Sequence, residues 1–75
     1  MAQGEILWFD AVRGFGFIRP DMGPKDVFVH VSALSEAGLA ELPTGVRVEF
    51  ELVQTGDGRL KAQRVLPLEQ ASPHG

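Results

Sequence analysis

Glycine and proline interrupt this chain so often that long regular elements are excluded. The 75 residues include nine glycines and five prolines, and the apolar residues lie in short runs between them. Short apolar runs bounded by turn-forming residues are typical of β-strands. The sequence therefore predicts five strands, at Gly4–Asp10, Phe15–Arg19, Asp26–Val31, Val46–Val53 and Arg59–Leu66.

The connections between these runs carry their own signals. Thr55–Gly58, with the sequence Thr-Gly-Asp-Gly, predicts a hairpin turn because Asp and Gly accept positive φ angles. The longest connection, from Ser32 to Thr44, suits a helical turn that Gly38 keeps short. We expect one domain over residues 1–67 and a flexible C-terminal tail over residues 68–75.

Five short strands and one long connection predict an all-β fold, a small five-stranded antiparallel barrel. Closing the sheet into a barrel removes exposed strand edges. A sandwich of the immunoglobulin type would need about seven strands and about 100 residues, more than this chain offers.

Size and composition narrow the function. A chain of 75 residues has a thin core, so we expect no deep catalytic cleft and no small-molecule substrate. The net charge of −3 argues against a uniformly basic nucleic-acid-binding surface. Cysteine is absent and no spacing of metal-binding residues occurs, so neither a metal nor a cofactor is expected. No secretory signal or membrane-spanning run is present, which predicts a cytoplasmic protein.

Strand alternation indicates which residues face water. The fourth strand places Val46, Val48, Phe50 and Leu52 on one face, predicted to be inward. In the second and third strands, Arg19 and His30 share a face with three phenylalanines, Phe15, Phe17 and Phe28. Arg and His are poor core residues, so we predict that these rings face outward and that Ile18, Val27 and Val29 form the core.

An exposed patch of rings on a small domain usually marks a binding site. Flat rings suit unstacked bases, and the surrounding cations suit phosphates; those predicted to contribute are Arg13, Arg19, Lys25, His30, Arg59 and Lys61. Duplexes hide their base faces, so the expected partner is single-stranded DNA or RNA. Acidic residues are expected on solvated faces away from the patch, at Glu36, Glu41, Glu49, Glu51 and Glu69.

The first strand offers two further rings, Trp8 and Phe9. Trp8 has the same parity as Ile6, so both cannot have their predicted orientations on an unbroken strand. Either a β-bulge intervenes or one of the two assignments fails. We expect a monomer, with a homodimer left open because an exposed aromatic sheet can also pair with itself.

These segments resemble the bacterial cold-shock proteins, members of the cold-shock domain family. The resemblance extends from Gly4 to about Val65 and rests on Gly4–Asp10, Arg13–Ile18 and Asp26–Leu34, of which the last two are similar to the family's ribonucleoprotein-type motifs. It implies an OB-type barrel that binds single-stranded DNA and RNA with little sequence preference, often as an RNA chaperone or transcription antiterminator. The contact positions that it implies are Trp8, Phe9, Arg13, Phe15, Phe17, Asp26, Phe28 and His30.

The chain departs from the family pattern at four positions. The family usually has Lys at Leu7, Asn at Asp10, and aromatic residues at Val31 and in the long loop near Leu39. Two rings and one cation are thus replaced, and one negative charge is added. We expect Val31 to be half exposed, and binding to be weaker than in a typical member.

Three other interpretations compete. The RNA-recognition motif shares the Arg-Gly-Phe-Gly-Phe-Ile segment, but its second aromatic motif should precede that segment, whereas here it follows. Catalysis by His30 and Ser32 with Asp10 or Asp26 is disfavoured because no deep pocket is expected. A protein-interaction module using the same patch stays open, since OB-type barrels also bind proteins and the chain is acidic.

Overall fold

The computed structural model describes residues 1–68 and contains five strands and one short helix. The strands are β1 (Ala2–Asp10), β2 (Phe15–Pro20), β3 (Val27–His30), β4 (Arg47–Gln54) and β5 (Leu60–Pro67), and the helix is α1 (Val31–Ser35). The five predicted strands and the short helical turn are confirmed, with Val31 belonging to α1 rather than to β3. The predicted tail lies, from residue 69 onward, outside the described residues.

The strands close into a barrel in the order β1-β2-β3-β5-β4. Four of the five pairings are antiparallel, and β3 pairs with β5 in parallel. Strand direction cannot alternate all the way round a ring with an odd number of members, so one parallel pairing is unavoidable. The five-stranded barrel is confirmed, and the antiparallel arrangement holds everywhere except at this closing pair.

The barrel interior is filled by aliphatic side chains and one ring. Phe50, Ile18, Val27 and Val29 are fully buried, at 0% exposure. This confirms the predicted orientation of the second and third strands, with branched aliphatics inward. The remaining buried apolar residues are Ile6, Ala33, Leu34, Leu42, Val48, Ala62 and Val65.

One inward prediction on β4 was wrong. Leu52 is 47% exposed although it shares the face of the buried Phe50. Its cross-strand partner, Ala62, is buried. Alternation gives the face of a residue, but it does not say where along the strand that face meets solvent.

A β-bulge in β1 decides the direction of Trp8. Ile6 pairs with Ile18, and the next pair is Trp8 with Phe17, so Leu7 is an extra residue without its own partner. An extra residue reverses the alternation beyond it, and Trp8 therefore turns outward while Ile6 stays buried. Of the two alternatives left open by the sequence, the bulge is the one observed.

A second irregularity shapes β5. Glu49 pairs with Leu66 and Glu51 pairs with Gln63, so two residues of β5, Arg64 and Val65, face one residue of β4. Arg64 has a φ of 54°, in the left-handed region that residues other than Gly seldom adopt. Residues on one face of a regular strand are an even number of positions apart. Because of this shift, Val65 is buried although it lies three positions after the buried Ala62.

Gly16 allows β1 and β2 to approach each other closely. A Cβ at Gly16 would collide with the carbonyl oxygen of Trp8 and lie 2.8 Å from the Phe9 ring. Glycine is therefore required sterically at this point of β2.

Candidate nucleic-acid interface

Four rings form a continuous cluster on the outer surface of β1, β2 and β3. The ring cluster consists of Trp8, Phe15, Phe17 and Phe28. Neighbouring centroids are 5.4 Å apart for Trp8 and Phe17, and 5.8 Å apart for the Trp8–Phe15, Phe15–Phe28 and Phe17–Phe28 pairs. Trp8 is 43% exposed and the three phenylalanines are half-buried, so the rings support one another and still present surface to solvent.

Strand register brings these rings together. Phe17 pairs with Phe28 across β2 and β3, and with Trp8 across β1 and β2. Phe15 pairs with His30, which extends the same face to the end of β3. Cross-strand partners lie about 5 Å apart, close to the spacing that ring contacts need. The sheet therefore places the rings side by side on one face, as a platform for flat ligands.

A wide groove lies between the ring cluster and the β4–β5 hairpin. Its volume is about 870 Å³, and Phe17 and Phe28 form its apolar wall. Four further residues predicted to contribute, Lys25, Asp26, Arg59 and Lys61, line it as well. The other lining residues are Thr55, Gly56, Asp57, Gly58 and Leu60. The groove thus collects aromatic and cationic residues from distant parts of the chain.

Two of the predicted cations are held by carboxylates of this chain. Arg13 Nε lies 3.8 Å from Asp10 Oδ2, and Arg59 Nε lies 3.3 Å from Asp57 Oδ2. All four side chains are solvent-exposed, so these pairs are weak and can be exchanged for a phosphate. They still reduce the positive charge that the interface presents to a polyanion.

Both carboxylates also organise their own turns. Asp10 Oδ1 accepts hydrogen bonds from the backbone N–H groups of Val12 at 3.0 Å and Arg13 at 3.1 Å. Asp57 accepts from the Thr55 hydroxyl and from the Arg59 backbone N–H. The Thr55 hydrogen bond is the main reason that the pKa of Asp57 lies below its ordinary value.

His30 acts as the N-cap of α1. Its Nδ1 accepts a hydrogen bond from the backbone N–H of Ser32 at 3.2 Å and lies 3.0 Å from Ser32 Oγ. This is a local capping arrangement between residues two apart, and neither Asp10 nor Asp26 hydrogen-bonds to the imidazole. The cap holds the imidazole of His30 beside the ring cluster, at the end of β3. It uses Nδ1 and not Nε2.

Phe9 is placed differently from the other predicted rings. It pairs with Gly16 and packs, half-buried, against the core. None of its ring contacts involves the ring cluster, among the residues that the structure describes. Its role as a contact stays a prediction.

A second cleft, which the sequence did not predict, lies between α1 and β5. Ser32, Glu36, Gln63 and Arg64 line it together with Phe28. The expectation that Glu36 lies away from the patch was therefore wrong, because the short α1 returns its last turn toward β5. Of the other acidic residues expected away from the patch, Glu51 lies near Arg64, with 3.8 Å between Glu51 Oε1 and Arg64 Nε. Glu69 lies outside the described residues.

Comparison with known proteins decides the family. The profile of the 'Cold-shock' DNA-binding domain matches residues 2–68. The chain belongs to the cold-shock DNA-binding domain family. The predicted membership is confirmed over nearly the whole described part of the chain, and the family is one of nucleic-acid-binding proteins.

Relatives come from bacteria and plants. A probable cold shock protein of Sinorhizobium fredii is 56% identical over 54 residues, covering 72% of this chain and 78% of the relative. The cold shock-like protein CspE of Escherichia coli is 48% identical over 56 residues, covering 75% and 81%. Glycine-rich protein 2 of Nicotiana sylvestris is 45% identical over 74 residues, and the chain spans only 35% of its length.

The fold has a solved counterpart in an animal protein. The structure titled "drosophila Unr CSD456" superposes with a TM-score of 0.76 and 30% identity, over 95% of this chain and 28% of that one. This agrees with the OB-type barrel of the cold-shock domain. Residues 1–68 contain no helix with the length and apolar character that a membrane crossing requires.

Proposed function

We propose that this chain binds single-stranded DNA or RNA with low sequence specificity, by stacking bases on the ring cluster. The observation that carries the proposal is the continuous set of outward rings, bordered by a groove with Arg59 and Lys61. Every base has a π face, so stacking tolerates sequence, and each stacked base contributes about 1–3 kcal/mol. In the cell such binding suits an RNA chaperone or a transcription antiterminator, acting as a monomer.

Binding is proposed to be weaker than that of a typical family member. Val31 is half-buried, and a Cβ at Gly14 would lie 3.3 Å from its Cγ1, so this side chain fills space beside the turn. Leu39 packs against the core. Neither offers a flat ring, and the half-buried Leu7 offers no charge. These positions are consistent with a shorter footprint on the strand.

A fluorescence titration tests the proposal, because Trp8 is the only tryptophan and lies in the ring cluster. Heptathymidylate and heptaadenylate are titrated at two salt concentrations, and a short duplex serves as competitor. Stacking is expected to quench the indole, with little effect of the duplex. Affinity falls shallowly with salt, because few cations are free to contact phosphates. Absence of quenching with either strand contradicts the proposal, and a nanomolar heptathymidylate complex at physiological salt contradicts the weakened affinity.

The alternative is a protein-interaction module that uses the same rings. The acidic net charge and the two carboxylate-held arginines, Arg13 and Arg59, favour it. A surface that binds through apolar contact is insensitive to salt, whereas nucleic-acid binding weakens as salt rises. The salt series therefore separates the two functions.

A further inference from the structure

The cleft between α1 and β5 borders the ring cluster. Its volume is about 350 Å³, and Phe28 and His30 form the side that it shares with the interface described above. Its polar lining residues are Ser32, Glu36, Lys61, Gln63 and Arg64. A strand lying on Phe28 thus passes beside charged groups that the ring cluster itself does not provide.

Two opposite charges line this cleft without neutralising each other. Lys61 is half-buried and is the Cα partner of Phe28 in the parallel β3–β5 pairing. Glu36 is exposed at the end of α1. Within the part of the chain described here, neither residue forms an ion pair. The cleft therefore offers both a charged donor and a charged acceptor to a ligand.

Arg64 adds a second cation from the bulge of β5. Its backbone adopts a φ of 54°, and such strained positions cluster at functional sites. Its Nε lies 3.8 Å from Glu51 Oε1, beyond hydrogen-bond distance, and its side chain is 72% exposed. The guanidinium is thus free to leave Glu51 for a stronger acceptor.

We propose that this cleft binds the sugar and phosphate of one nucleotide and selects RNA over DNA. Lys61 and Arg64 donate hydrogen bonds to the phosphate, and the Glu36 carboxylate accepts one from the ribose 2′-hydroxyl. Of the two sugars, only ribose has a 2′-hydroxyl that can donate a hydrogen bond to the carboxylate. This inference rests on the proposed single-strand binding and assigns it a sugar preference.

The test compares strands that differ only in the sugar. Heptauridylate, its 2′-deoxy form and its 2′-fluoro form are titrated against the full chain by Trp8 fluorescence, since the fluoro sugar keeps an RNA-like pucker but cannot donate. Ribose is expected to bind about three- to tenfold tighter than either analogue, the effect of one hydrogen bond. Glu36→Ala should remove this advantage, and Glu41→Ala, which removes a charge outside the cleft, should preserve it.

Each other outcome has a definite meaning. Equal affinities for all three sugars, unchanged by Glu36→Ala, overturn the sugar preference and leave single-strand binding intact. Tight binding of the 2′-fluoro strand assigns the preference to pucker and also overturns the proposal. An equal loss for all sugars in Glu36→Ala means that the carboxylate does not recognise the 2′-hydroxyl, and this also overturns the proposal. Failure of every strand to bind rejects the proposed function itself.

Discussion

Trp8 and Phe17 are cross-strand partners with ring centroids 5.4 Å apart, and the extra residue Leu7 makes this pairing possible. Without the bulge, Trp8 would share the inward direction of Ile6, and the ring cluster would lose its most exposed member. A single irregularity in backbone register therefore decides whether β1 contributes to the interface.

Removing a ring from the cluster should weaken binding and leave the fold intact. Phe28→Ala is expected to cost about 1–3 kcal/mol of binding free energy, the contribution of one stacked base. Its partial exposure and surface position make the loss of stability small. Titration with heptathymidylate and a denaturant melt measure the two effects separately.

The matched core change should have the reverse effect. Val29→Ala, one residue further along β3 and 0% exposed, should lower the free energy of unfolding by at least about 1 kcal/mol through cavity formation. The folded fraction should bind as the unmodified chain does. If Phe28→Ala unfolds the protein and still binds fully, the two faces of β3 have the opposite roles.

Freeing Arg59 should strengthen binding. Asp57→Asn keeps an acceptor oxygen for the turn but removes the charge that lies 3.3 Å from Arg59. The affinity for heptathymidylate should rise a few-fold at low salt, with a steeper dependence on salt concentration. Asp21→Asn, which removes an equal charge from a carboxylate not lining the groove, is the control and should change the affinity less.

Gly16→Ala should destabilise the barrel. The new methyl group would collide with the carbonyl of Trp8, and backbone cannot move aside as a flexible side chain can. Strain of this kind typically costs about 1–3 kcal/mol, seen as a lower denaturation midpoint. Gly56→Ala serves as comparison, since nothing lies within 4 Å of its added carbon; an equal effect at both glycines would contradict the close approach of β1 and β2.

The ion pair between Asp21 and Arg47 should give stability that depends on pH. Arg47 Nη1 and Nη2 lie 2.8 and 2.5 Å from the two Asp21 oxygens, and these hydrogen bonds hold the pKa of Asp21 below its ordinary 3.8. A lowered acid pKa stabilises the folded state above the ordinary value and loses that effect as pH falls through the lowered one.

The measurement is a pair of unfolding curves. Asp21→Asn should be less stable than the unmodified chain near neutral pH, and the difference should shrink as the pH falls below 3.8 and through the lowered pKa of folded Asp21. A difference that persists unchanged in acid would show that the hydrogen-bond geometry, rather than the carboxylate charge, is responsible.

The strands and the outward rings could be predicted from the sequence because strand alternation, together with Arg19 and His30, indicates which face is buried. The family could be predicted because its motifs are present in the chain. It did not predict the bulge at Arg64, since arginine has no preference for positive φ. It did not predict the exposure of Leu52, which depends on where the barrel ends. The α1–β5 cleft depends on contacts between distant segments, for which one sequence carries no local signal.

The closing pair of the barrel has a further consequence. β3 and β5 are joined only through Phe28–Lys61 and Val29–Ala62, the shortest of the strand pairings. Two of these residues, Phe28 and Lys61, border both hollows on the outer surface. A polynucleotide that binds across Phe28 and Lys61 would link β3 and β5 where the barrel has its fewest paired residues. Binding is therefore expected to slow amide exchange in β3 and β5, including at residues that the ligand does not contact.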